Sequence, residues 1–160
     1  MNGIPTHHSG ASRYDEWMRL ALAEATLAVD TADVPVGAVV LDAAGTVLGA
    51  GRNRRELEAD PTAHAEVVAI RAAAAALGTW RLDDTTLVVT LEPCAMCAGA
   101  ILQSRIPRVV FGAWDEKAGA AGSAYDLLRD RRLPHRVEVV AGIREAESAA
   151  LLATFFEQRR

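Results

Sequence analysis

Four residues in two short segments have the types and spacing that hydrolytic metal chemistry requires. They are His64 and Glu66 in His64-Ala65-Glu66, and Cys94 and Cys97 in Pro93-Cys94-Ala95-Met96-Cys97. Singly they say little. A histidine near a helix start is commonly structural, and a lone Cys-x-x-Cys can be a redox pair, half of a structural zinc site or two buried thiols. Together they say more. Cysteines at i and i+3 at a helix start share one face, the bite needed for two metal–sulfur bonds of ~2.3 Å. A helix N-terminus also favours thiolate over thiol. With His64 as third ligand and a fourth position left to water, the pattern is that of a catalytic zinc, one ion per chain. The other histidines, His7, His8 and His135, lack partners at ligand spacing and read as surface residues. Glu66, two positions from His64, is poorly placed to ligate the same ion but can lean over the open position. The expected chemistry is hydrolysis: zinc lowers the pKa of bound water toward ~7, and Glu66 shuttles the proton.

The elements that must position these groups are legible in the hydrophobic pattern. Residues 14–30 read as an amphipathic helix with Met18, Ala21, Leu22, Ala25 and Val29 on one stripe. Two short apolar runs, 36–41 and 46–50, joined through Asp42-Ala43-Ala44-Gly45, predict a hairpin, with Asn53 just beyond it. Asp60-Pro61 predicts a helix start, Asp60 as N-cap and Pro61 at the first helical position, with Gly78 as the stop. Residues 85–91 and 108–113 read as buried strands around a helix opened by Pro93, a βαβ unit. A short helical stretch is expected near 125–129, a fifth strand at 136–140 and a last helix at 145–158. The long connection from 113 to 136 favours a parallel fifth strand. The expected fold is α/β: a three-layer α/β/α sandwich on a five-stranded mixed sheet. Residues 1–13 are expected to be a flexible tail and 14–160 a single domain.

Composition sets bounds on function. Of 160 residues, 51% are hydrophobic and 24% charged, the mix of an ordinary globular domain. The net charge of -4 argues against a general nucleic-acid coat but leaves room for local arginine clusters, at Arg52, Arg54 and Arg55, at Arg129, Arg131 and Arg132, and at Arg159 and Arg160. No apolar run approaches the ~20 residues needed to span a bilayer. The first twelve residues lack the apolar core of a signal peptide, and the two cysteines are confined to one segment, so a cytoplasmic location without membrane attachment is expected.

His-x-Glu paired with Pro-Cys-x-x-Cys is the signature of zinc-dependent nucleobase deaminases. Within that group the sequence resembles the bacterial tRNA-specific adenosine deaminases. The resemblance is carried by Val34-Pro35-Val36-Gly37-Ala38-Val39, Asp60-Pro61-Thr62-Ala63-His64-Ala65-Glu66, Thr90-Leu91-Glu92-Pro93-Cys94-Ala95-Met96-Cys97-Ala98-Gly99-Ala100 and Arg108-Val109-Val110-Phe111-Gly112-Ala113. More specific still are Asp115, Lys117 and Gly119-Ala120-Ala121-Gly122-Ser123. It covers roughly residues 15–160. It implies a cytidine-deaminase-like fold and hydrolysis of adenosine to inosine at the wobble position of tRNA anticodons, chiefly arginine tRNA, by a homodimer. It also implies that Asn53 contacts the target base, that Ala65 lies in the substrate site, and that Asp115 and Lys117 meet the anticodon stem-loop. The helix bearing Phe155 and Phe156 lies nearby. An anticodon loop suits such an enzyme, because its bases are already splayed. The rival readings are a deaminase of free guanine or cytosine and a non-catalytic RNA-binding module with structural zinc.

Overall fold

The computed structural model describes residues 10–160. The chain forms α1 (Gly10–Ala28), β1 (Gly37–Leu41), β2 (Val47–Arg52), a four-residue α2 (Arg55–Glu58), α3 (Ala65–Leu77), β3 (Thr86–Leu91), α4 (Ala95–Gln103), β4 (Arg108–Ala113), β5 (Glu138–Val140) and α5 (Glu145–Glu157). The sheet order is β2-β1-β3-β4-β5. β1 is antiparallel to β2 and β3, while β3, β4 and β5 run parallel, the expected fifth strand included.

Alternation along the strands divides the core into two layers. Ala38, Val40, Leu87, Val89, Val109 and Phe111 face α3 and α4, where Ala69, Ala73, Ala98 and Ile101 meet them. Val39, Leu41, Val88 and Val110 face Trp17, Met18 and Ala21 of α1. Ser148 of α5 packs over Gly112, which has the same strand parity as Val110 and so completes that outer layer. The result is the expected α/β/α sandwich. Burial of the sheet from both sides explains why β3 and β4 read as continuous apolar runs.

Gly51 and Gly49 set how closely α3 approaches the sheet. A Cβ on Gly51 would lie 2.7 Å from both Ala65 O and Ala69 N, and one on Gly49 would lie 2.5 Å from Ala69 O and Ala73 N. β2 thus offers a bare ledge on which the backbone of α3 rests.

Three expectations need correction. First, α1 starts at Gly10 rather than at residue 14 and gives way to a 3-10 turn at Val29–Thr31. Residues 1–9, with His7, His8 and most of the expected tail, lie outside the described residues. Second, Asp60-Pro61 does not begin a helix. The Asp60 carboxylate accepts from the Thr62 amide at 2.8 Å and the Thr62 hydroxyl at 2.7 Å, forming a local turn. The helix starts at Ala65 and ends, as expected, at a left-handed Gly78. Third, there is no helix at 125–129. Its amides pair back across the loop, Leu127 N–H to Ala120 O and Tyr125 N–H to Gly119 O, rather than to the preceding turn.

Candidate active site

Both metal-ligand segments enter the site at helix starts. His64 is the N-cap of α3 and Cys94 the N-cap of α4, each with extended backbone and neither with a side-chain cap of its own. The later start of α3 therefore has a consequence: His64 stands outside the helix, free to turn toward α4, and Glu66 occupies the second helical position. Cys97 sits in the first turn of α4 and is fully buried.

The His64 Nδ1 atom lies 3.6 Å from Cys94 Sγ and 3.4 Å from Cys97 Sγ. Tetrahedral zinc with bonds of about 2.3 Å to sulfur and about 2.05 Å to nitrogen requires an N···S separation of about 3.6 Å. The spacing fits one ion held by these three residues, the one such group found among the described residues.

The electrostatics suit a cation. The Cys94 thiol is lowered to about 3, first by its hydrogen bond with Cys97, then by those from His64 and the Cys97 backbone N–H, against the cost of burial. Cys97 is pushed far up by its hydrogen bond with Cys94 and by burial. Two adjacent thiolates repel, so without a metal one of them keeps its proton. His64 is raised by its hydrogen bond with Cys94. Glu66, 4% exposed, is raised to about 6 by burial, offset in part by a hydrogen bond from Cys97 and the charge of His64. A carboxyl poised there takes and gives up a proton near neutral pH.

A cavity of about 240 Å³ opens beside these groups, lined in part by Asn53, Ala65, Glu66, Cys94 and Asp115. The sequence-predicted residues divide accordingly. Asn53 is buried at the rim, but both ends of its amide are engaged: Nδ2 donates to Val34 O, and Oδ1 accepts from the Arg55 amide, each at 3.2 Å. One N–H and one lone pair remain for a ligand. Asp115 lines the cavity while its Oδ1 accepts from the Lys117 and Ala118 amides. Lys117 is exposed and does not line the cavity. It is also the only lysine in the sequence. Phe155 is core and Phe156 is exposed, in edge contact with each other.

The sequence marks Arg55 only as part of an arginine cluster, and gives no cavity role to it, to Glu92 or to the apolar wall of Val34, Val36 and Leu91. Arg55 is the one arginine or lysine lining the cavity. The other clustered arginines are partly spoken for, since Arg54 pairs with Glu58, Arg129 with Asp126 and Arg132 with Asp130. Glu92 had a signal, a carboxylate next to Pro93-Cys94 at the end of a buried strand.

The mixed sheet, the His and two Cys at paired helix starts and the buried glutamate beside them define a zinc-dependent deaminase. Residues 11–113 match the cytidine and deoxycytidylate deaminase zinc-binding region, and the chain belongs to that family. Several of its relatives within that family are tRNA-specific adenosine deaminases. The chain is 48% identical over 150 residues to the tRNA-specific adenosine deaminase of Haemophilus influenzae, covering 93% of this chain and 87% of that protein. It is 46% identical over 144 residues to the enzyme of that name from Bacillus subtilis, covering 90% and 89%. A solved structure from work on A-to-I editing by tRNA:A34 deaminases at the wobble position of transfer RNA superposes with a TM-score of 0.82 at 44% identity. That match covers 86% of this chain and 99% of the other.

Proposed function

We propose that this protein hydrolyses adenosine to inosine at the wobble position of tRNA anticodons, chiefly arginine tRNA, releasing ammonia. The observation that carries this is the buried Glu66 carboxyl beside three gathered ligand atoms at the mouth of a base-sized cavity. Relatives matched over 87% and 89% of their own length that bear the tRNA-specific name support the choice of substrate.

His64, Cys94 and Cys97 hold the zinc, which when bound supplies Lewis-acid activation of water at neutral pH. The residues of the chain do the rest. Glu66 accepts a proton from the attacking water and delivers it to purine N1; it then takes the proton of the new C6 hydroxyl and passes it to the amino nitrogen, which leaves as ammonia as the C6 carbonyl forms. Asn53, through its remaining amide valences, and Ala65 orient the base against the wall of Val34, Val36 and Leu91. Asp115 and Lys117 meet the neighbouring anticodon nucleotides. Arg55 at the rim supplies a cation where an RNA substrate brings phosphate and a free base does not.

The reaction belongs in the cytoplasm, where tRNA is used, and among the described residues no helix is long and apolar enough to cross a membrane. A homodimer is supported by apolar side chains left exposed, Met96 on α4 and Trp114 and Tyr125 in the segment after β4. Light scattering should give twice the 17.0 kDa chain mass, and a monomer at micromolar concentration overturns that part.

The test of substrate is to incubate the zinc protein separately with an arginine-tRNA anticodon stem-loop, guanine and cytosine. Inosine in the RNA is expected. Consumption of a free base with the RNA untouched overturns the proposal.

A further inference from the structure

We propose that Glu92 is a positioning residue of this enzyme, holding the 115–123 loop as one wall of the substrate cavity and tying that wall to the Cys94 segment. The reasoning rests on the deaminase function proposed above for the cavity, and on a cluster of contacts that the reaction itself does not use.

Glu92 follows β3 directly and is 2% exposed. Among the described residues no arginine or lysine is its hydrogen-bond partner. Its carboxylate is received instead by the loop. Oε1 accepts from the backbone N–H of Ala121 at 3.2 Å and of Ser123 at 2.9 Å. Oε2 accepts from the Asp115 N–H at 2.9 Å and from the Ser123 hydroxyl at 2.5 Å. A buried acceptor with three amides converging on it is the arrangement by which backbone binds an anion, and here the anion is the protein's own side chain.

The wrapping is tight. A Cβ on Gly119 would lie 2.0 Å from Glu92 Oε2 and 2.4 Å from Ser123 Oγ, so the loop closes round the carboxylate only with glycine there. The same loop docks on the metal-ligand segment. Gly119 forms an antiparallel bridge with Cys94, and the Ala120 N–H donates to Pro93 O at 2.7 Å. Asp115 and Ala118 from this loop line the cavity along with Glu92 and Cys94. One carboxylate therefore fixes both the shape of the substrate wall and its register against the metal centre. Without it three amides lose their acceptor, and what remains are the local bonds of Asp115 Oδ1 to the Lys117 and Ala118 amides and of the Ser123 hydroxyl to Asp115 O, which span only part of the loop.

The experiment compares wild type, Glu92→Gln and Ser123→Ala as purified zinc proteins, measuring zinc content, kcat and KM on the anticodon stem-loop and protease cleavage within 115–123. Gln keeps the shape but turns an N–H₂ toward amide donors, while Ser123→Ala removes one arm and leaves the three amides in place. At full zinc content Glu92→Gln should raise KM about tenfold or more, the worth of one charge-assisted hydrogen bond, and open the loop to protease. Ser123→Ala should move both readouts the same way by less. A purely structural role would instead lower the folded, zinc-loaded fraction and leave KM of that fraction unchanged. That outcome overturns the proposal, as does wild-type KM and protection in Glu92→Gln. Because cleavage is read without substrate, failure of the loop argument is distinguishable from failure of the tRNA assignment, which would show as an inactive wild type.

Discussion

Replacing Gly51 by alanine should loosen zinc before it unfolds the protein. The added Cβ would stand 2.7 Å from Ala65 O and Ala69 N and 2.8 Å from Val68 Cβ, where ordinary contacts begin near 3.4 Å. The first turn of α3 must therefore lift from β2 by about 0.7 Å, the difference of 3.4 and 2.7. His64 caps that turn and moves with it, while Cys94 and Cys97 stay on α4. Metal–ligand distances tolerate only about 0.2 Å, so part of the shift must be absorbed by strain at His64. Overpacking of this kind costs roughly 1–3 kcal/mol of fold stability, and mispositioning of a ligand costs about 10- to 100-fold in metal affinity. The assay is zinc competition against a chromophoric chelator, alongside a thermal melt. Gly99→Ala on α4, where a Cβ meets nothing within 4 Å, is the control and should retain zinc. Gly49→Ala, one turn farther from His64, should destabilise the fold comparably but cost less zinc affinity. If Gly51→Ala binds zinc as tightly as wild type, the ledge does not set the position of His64 and the reasoning fails.

Other consequences are as direct. Stripping zinc should lower stability by about 4 kcal/mol when the ion had been present at a thousand times its dissociation constant, read as a drop in melting temperature reversed by adding zinc; an unchanged melt counts against a site at His64, Cys94 and Cys97. In the zinc-free protein, burial raises Glu66 to about 6, so the folded state binds that proton more tightly than the unfolded chain does. Its contribution is fully present below the ordinary carboxylate range and is lost as pH rises through about 6. Urea titrations of zinc-free wild type and Glu66→Gln should therefore agree near about pH 3.5 and differ fully above about pH 7, with the variant more stable by about 2 kcal/mol; a constant difference contradicts the burial argument. Since Lys117 is the only lysine, amine acylation can reach its side chain and the N-terminus alone, and the anticodon stem-loop should protect Lys117 in peptide mass spectra. Equal labelling with and without RNA removes it from the interface.

The candidate metal ligands His64, Cys94 and Cys97, with Glu66 beside them, were readable because they lie in short segments whose spacing is itself the chemistry. Strand burial and the parallel fifth strand followed equally from apolar runs and connection length. What stayed hidden was long-range. The start of α3 depended on an Asp60–Thr62 turn that competes with the helix cap the same residues suggest, and nothing local decides between them. The 125–129 segment carries helix-compatible residues, but its amides pair across the loop to Ala120 and Gly119. The resemblance implies a base contact for Asn53, and its two bonds to Val34 and Arg55 add that it holds the rim together. Glu92 likewise has no sequence partner, because its donors lie 23 to 31 residues away.

The central claim is that Glu66 moves protons in a deamination whose substrate is a tRNA adenosine. The most direct test is to sequence an arginine tRNA after incubation with wild-type and Glu66→Gln proteins, each shown to carry one zinc per chain. The wild type should convert the wobble adenosine to inosine, read as guanosine, while Glu66→Gln should fall by about 10²-fold or more with its zinc intact. Guanosine reads at equal rate in both would contradict the account.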